Sequence, residues 1–176
     1  VPDDTIFGRI GQRLAPHIYS EQEITDLLAA AHKLDSFIPG LRGATYETLF
    51  GLIASTGLRI SEALHLLDTD VNLKVGMLTI RQTKFAKSRH VLLHPSTIDA
   101  LQRYRALRKA HIEVTDESPF FVGARGRRLG QPLSMEQVHR VFISLRKQLG
   151  WINRGAHHGP RIHDLRHTFV VRRVLL

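Results

Sequence analysis

Cysteine is absent from the 176 residues, which removes disulfide frameworks and thiolate metal sites and fits a reducing compartment. No uninterrupted apolar run approaches the roughly eighteen residues that a membrane-spanning helix needs. The opening VPDDTIFGRIGQ also lacks the charged-then-apolar order of a secretion signal. No internal repeat or low-complexity tract occurs. These absences predict a soluble chain without a membrane partner. At 43% hydrophobic residues, it is long enough for one compact domain with a real core and too short for two.

Acidic residues are also in short supply. Sixteen Asp and Glu stand against 25 Lys and Arg, a formal charge of +9, which points first to a polyanion such as nucleic acid. Anionic lipid, or a merely basic surface, is the alternative that charge alone leaves open.

The apolar pattern predicts a mainly α chain with a small antiparallel β-sheet (α+β). Residues 1–18 hold Gly8, Gly11 and Pro16 without periodicity and read as a linker from something upstream. Ser20 with Glu23 forms a capping box, after which Ile24, Leu27, Leu28 and Ala31 recur at helical spacing. A second helix is predicted over 45–56, stopped by Gly57, and a short third over 60–67. Met77, Leu78 and Ile80, then Val91, Leu92 and Leu93, flank the polar stretch TKFAKSR as two strands of a basic hairpin would. Ser96 with Asp99 predicts a helix to about residue 109. Residues 119–122 read as extended, GARGRRLGQP as a basic loop, and Ser134 with Gln137 as the start of a helix to 149. A last helix begins near His163, and the chain stops at Leu176 inside the apolar run RHTFVVRRVLL, as a fragment would.

Three clusters could carry chemistry. In HDLRHTF, His163 and Arg166 lie three apart, so a helix start projects both toward one small anion. A forked guanidinium beside an imidazole suits phosphate, although two solvated basic residues would look the same. In TGLRISEALHL, Glu62 is spaced to hold Arg59 on one helical face, or to be weak surface decoration. In TKFAKSR, Lys84, Lys87 and Arg89 crowd a hairpin tip that would enter a groove or simply stay solvated. Four histidines, His157, His158, His163 and His167, raise a metal site, but only Asp164 is at hand as an acidic partner, and no metal is expected.

Taken together and in order, TGLRISEALHL, TKFAKSRHVLL and HDLRHTF resemble the arginine box, the lysine hairpin and the H-x-x-R box of the tyrosine recombinases, the phage-integrase family. HIYSEQEITDLLAAA resembles the opening of their catalytic domain. The resemblance covers roughly residues 17–176. It implies that residues 19–176 are a catalytic domain lacking its C-terminal segment, and that Arg59 and Arg166 clamp the scissile phosphate. It implies further that Lys84 is the general acid, with Lys87 an alternative, that His163 contacts the phosphate, and that Glu62 supports the site. His167 reads as structural. Lys87, Arg89, Arg125, Arg127 and Arg128 become candidate DNA contacts, with Arg140 and Arg146 as further phosphate contacts. The family's nucleophile is a tyrosine beyond the H-x-x-R box, whereas Tyr19, Tyr46 and Tyr104 all precede it; the nucleophile is therefore expected to be absent here. The implied partner is double-stranded DNA, on which the family forms tetramers, and this chain alone is expected to be a monomer. No cofactor is implied. The implied location is the cytoplasm, at the nucleoid.

Overall fold

The computed structural model describes residues 15–34, 38–81, 88–153 and 159–175. Among these residues lie six helices, as the apolar pattern predicts, and an antiparallel sheet of three strands, one more than the predicted hairpin. In chain order they are α1 (Glu21–His32), α2 (Leu41–Thr56), α3 (Ile60–Leu64), β1 (Val71–Asn72), β2 (Met77–Ile80), β3 (Arg89–Leu92), α4 (Pro95–His111), α5 (Met135–Gln148) and α6 (Ile162–Leu175).

Both predicted capping boxes form. The Ser20 hydroxyl accepts from the Glu23 amide at 3.1 Å while the Glu23 carboxylate accepts from the Ser20 amide at 2.7 Å, and Ser134 and Gln137 repeat the exchange at α5. Each satisfies donors that a helix start leaves without partners. Helix α2 begins a turn earlier than predicted. Gly43 sits inside the helix, where a Cβ would come 2.1 Å from the His32 carbonyl oxygen. The glycine is there because the ends of α1 and α2 cross at backbone contact. Helix α2 is buried along most of its length, at Leu41, Tyr46, Leu49, Phe50, Leu52 and Ile53 among others, and packs against α1, α4 and α6.

Helix α3 stops at Leu64 rather than near 67, because the chain turns away to pair elsewhere. Leu67 bridges Pro119, the Asp68 amide donates to the Ser118 carbonyl, and the Phe120 amide donates to that of Leu66. Strand β1 carries no signal in sequence, since two residues are too few to show alternation. Helix α4 starts at Pro95, with His94 as its cap accepting from the Ser96 amide, rather than at Ser96. The basic loop after Val122 closes on itself through bridges of Val122 to Pro132 and Gly123 to Leu129 around a short 3-10 turn, Gly126–Arg128.

One buried ionic network was not legible in the sequence. Arg108 is fully buried on α4 and donates to the carbonyls of Pro119 (2.9 Å) and Phe120 (2.7 Å) and to the Asp68 carboxylate. Arg105 reaches the same carboxylate at 3.3 Å. This network ties α4 to the segment running from α3 into the sheet. Among the described residues, no helix is long and apolar enough to cross a membrane.

Candidate active site

The first corner of the site is built at the junction of α2 and α3. Gly57 ends α2 in the left-handed region at φ +65°, and two residues later Arg59 stands just ahead of α3. Glu62, in the first turn of α3, accepts the Arg59 backbone N–H at 2.8 Å and the Arg59 guanidinium at 3.0 Å. The expected same-face pair thus also serves as a helix cap. The second guanidinium comes from the sheet: Arg89, the first residue of β3, donates to Glu62 Oε2 at 2.8 Å. The Glu62 side chain is only 10% exposed. Burial pushes its carboxyl pKa up, but the Arg59 amide, the Arg89 charge and the Arg59 guanidinium outweigh it and hold the group below the ordinary carboxylate range.

The second corner arrives from α6. Arg166 donates to the carbonyl of Gly57, 109 residues away in sequence, where α6 packs on α2. The contact needs glycine: a Cβ on Gly57 would fall 2.3 Å from the Phe169 ring. Burial lowers the Arg166 pKa, as do the charges of Arg59 and Arg89, with Glu62 opposing them; a guanidinium stays protonated regardless. Arg59 and Arg89 thus share the Glu62 carboxylate, and Arg166, held on the Gly57 carbonyl, adds a third positive charge whose field reaches the other two; the excess of positive charge suits an anion offering several oxygens.

His163 lies one turn before Arg166, with its ring edge-on to His167 at 4.6 Å. Burial, His167 and Arg166 all lower its pKa, against the pull of Asp164. These surroundings favour its neutral form. The start of α6 is fixed by contacts that sequence reasoning missed. Arg161 forks onto buried Asp164 at 2.9 and 3.1 Å, and Thr168 Oγ1 accepts the Tyr19 amide at 2.9 Å. The Tyr19 hydroxyl donates to the Arg161 carbonyl at 2.9 Å, and Arg172 donates to the Tyr19 carbonyl at 3.0 Å. The three-residue spacing of Arg161 and Asp164 was a readable signal, but nothing in the sequence pairs Tyr19 with α6.

The depressed His163 pKa has a testable sign. Between its folded value and the ordinary value near 6.5, the unfolded chain binds the extra proton more readily, so this contribution to stability is present above that window and lost as pH falls through it. Urea unfolding at about pH 7.5 and about pH 5.5 should therefore show a smaller acid loss in His163→Gln than in the wild type. Equal losses in the two proteins would contradict the assignment.

Other candidates fall in different places. Lys84 and Lys87 lie outside the described residues, as do His157 and His158. Arg125 and Arg128 line a separate cleft of about 300 Å³ with Arg42 and Arg140, and Arg127 is exposed on the same turn. Among the described residues, no group of three or more His, Asp and Glu side chains is placed to hold a metal ion. All three tyrosines are buried in the core, and burial raises each phenol pKa. The Tyr104 hydroxyl accepts from the Val122 amide at 3.2 Å, and Tyr46 packs against Phe50.

The sequence profile of the Phage integrase family matches residues 18–172. The putative integrase/recombinase y4rB of Sinorhizobium fredii is 39% identical over 160 residues, which make up 90% of this chain and 50% of that protein. The crystal structure of XerA recombinase matches with a TM-score of 0.69 at 25% identity, covering 92% of this chain and 52% of that one. The Tn1549 transposon integrase, solved in complex with transposon right end DNA, is similar in fold, with a TM-score of 0.67 at 17% identity over 93% of this chain and 55% of that one. The chain spans about half the length of the curated relatives it matches.

Proposed function

Since the chain belongs to the phage integrase family and has the fold of a tyrosine-recombinase catalytic domain, we propose that it carries the phosphate-binding part of a DNA breaking-and-rejoining site. Arg59 and Arg166 bind the non-bridging oxygens of the scissile phosphate and stabilise the charge that develops as the phosphoryl group transfers. His163 hydrogen-bonds the same phosphate. Lys84 donates a proton to the departing 5′ oxygen, with Lys87 the alternative donor. The nucleophile is a tyrosine hydroxyl: its proton passes to His163 as its oxygen bonds to phosphorus, the bond to the 5′ oxygen breaks, and a 3′-phosphotyrosine keeps the energy needed for rejoining. Neither metal nor cofactor enters these steps. The observation that supports the reading is that Arg59 and Arg89 share the half-buried Glu62 carboxylate while Arg166 is held on the Gly57 carbonyl, two residues before Arg59.

None of Tyr19, Tyr46 and Tyr104 is the nucleophile, because each is buried in the core. The 176 residues accordingly supply the phosphate-binding side of the site, are a monomer in solution, and bind double-stranded DNA without cutting it. Arg125, Arg127, Arg128 and Arg140 contribute backbone contacts at a distance from the scissile phosphate. Tetramers form only on DNA.

The test is a covalent-adduct assay on nicked duplexes tiled across the DNA flanking the gene. It compares the 176-residue chain with its encoding reading frame expressed in full. The expected result is an adduct from the full reading frame and none from the 176 residues. If the full product binds these duplexes yet forms no adduct, the protein is a binding module; an adduct on the 176-residue chain would mean that a core tyrosine attacks after all.

A further inference from the structure

Arg89 stands out because the strand that carries it does not belong to either arm of the phosphate clamp. It opens β3, opposite Ile80 on β2, and its guanidinium could have faced solvent as a DNA contact. Instead it crosses to α3 and takes Oε2 of Glu62 at 2.8 Å, while Arg59 takes Oε1 at 3.0 Å and its own backbone N–H shares Oε2. Both carboxylate oxygens are thus engaged, and the Glu62 side chain is almost out of solvent, whereas those of Arg59 and Arg89 remain 52% and 42% exposed.

One carboxylate divided between two guanidinia neutralises neither fully. If Arg89 were removed, the whole charge of Glu62 would fall on Arg59 through a forked pair, the geometry in which a guanidinium is held best. Arg59 would then be both neutralised and immobilised at the place where the phosphate needs it. We propose that Arg89 is a positioning residue for phosphate binding: by occupying one oxygen of Glu62, it keeps Arg59 oriented by that carboxylate without being consumed by it. The contact also fixes the sheet to α3. The depressed pKa of Glu62, to which Arg89 contributes, agrees with a carboxylate serving two cations. The proposal rests on the phosphate-clamp reading and goes beyond it in assigning Arg89 to the protein's own carboxylate rather than to DNA.

A double-mutant cycle separates the two roles, with inorganic phosphate as the probe and NMR titration of the 176-residue chain as the readout. Arg89→Met should weaken phosphate binding about tenfold in the native background and no more than about twofold in a Glu62→Gln background, a coupling of the size expected for contacting residues. Arg89→Lys should recover part of the loss. The ¹³C titration of the Glu62 carboxyl should move up in Arg89→Met, which checks the contact without any ligand. Equal losses in both backgrounds would make Arg89 a direct anion contact and overturn the proposal, as would no loss in either. If wild-type protein binds phosphate but its full reading frame forms no DNA adduct, the recombinase reading fails while the role of Arg89 at the anion site stands. Should wild-type protein not bind phosphate at all, both fail.

Discussion

Replacing Asp68 with alanine lowers the free energy of unfolding by about 3–5 kcal/mol, because it leaves the fully buried Arg108 guanidinium without a counterion. The remaining partners of Arg108 are the neutral carbonyls of Pro119 and Phe120, and a guanidinium cannot shed its proton to escape the cost. Arg105 loses the same partner. The loss should be partly reversed in an Asp68→Ala, Arg108→Met double variant, since removing a buried pair together costs less than orphaning one member. Urea unfolding followed by circular dichroism decides the matter; a loss below about 1 kcal/mol for Asp68→Ala would mean that Arg108 finds water or another carboxylate. The consequence reaches the site, because this network anchors the segment that leads from α3, with Arg59 and Glu62 at its start, into the sheet that carries Arg89.

Arg166→Ala slows DNA-adduct formation by about 100- to 1000-fold in the full reading frame, the usual consequence of removing one preorganised donor to a developing oxyanion. Overall duplex affinity should change much less, with the salt dependence of binding falling by about one phosphate contact. Arg166→Lys should not restore the rate, because an ammonium lacks the fork that holds the Gly57 carbonyl with one nitrogen and leaves others for the phosphate. Single-turnover rates at saturating duplex distinguish this from a binding defect. A rate within about threefold of wild type would remove Arg166 from the clamp.

Much of this was legible from local pattern. Ser20 with Glu23 and Ser134 with Gln137 mark their helix starts because a capping box is satisfied within four residues and needs nothing from elsewhere in the fold. The strand at Met77 was predicted in place because its apolar run and the polar stretch after it are local signals as well, whereas β3 begins two residues before the predicted Val91: Arg89, read as part of the hairpin tip, pairs with Ile80 and belongs to the sheet. The spacing of Arg59 and Glu62 gave their pairing for the same reason.

Where local pattern misled, a distant contact had the deciding role. Helix α2 looks shorter until Gly43 is placed against the His32 carbonyl. Helix α3 looks longer until the chain from 118 to 120 claims the backbone of residues 66–68.

The sequence by itself determined the helical and sheet composition, the net positive charge, the order of the arginine, lysine and histidine-arginine boxes, and hence the family. Only the tertiary structure decided which charges share a partner. It brought Arg166 onto Gly57, placed Arg89 on Glu62, closed Asp68 around Arg108 and buried all three tyrosines. Each of these joins residues from different elements, and a contact between them becomes visible only when packing of apolar faces has fixed where the elements lie.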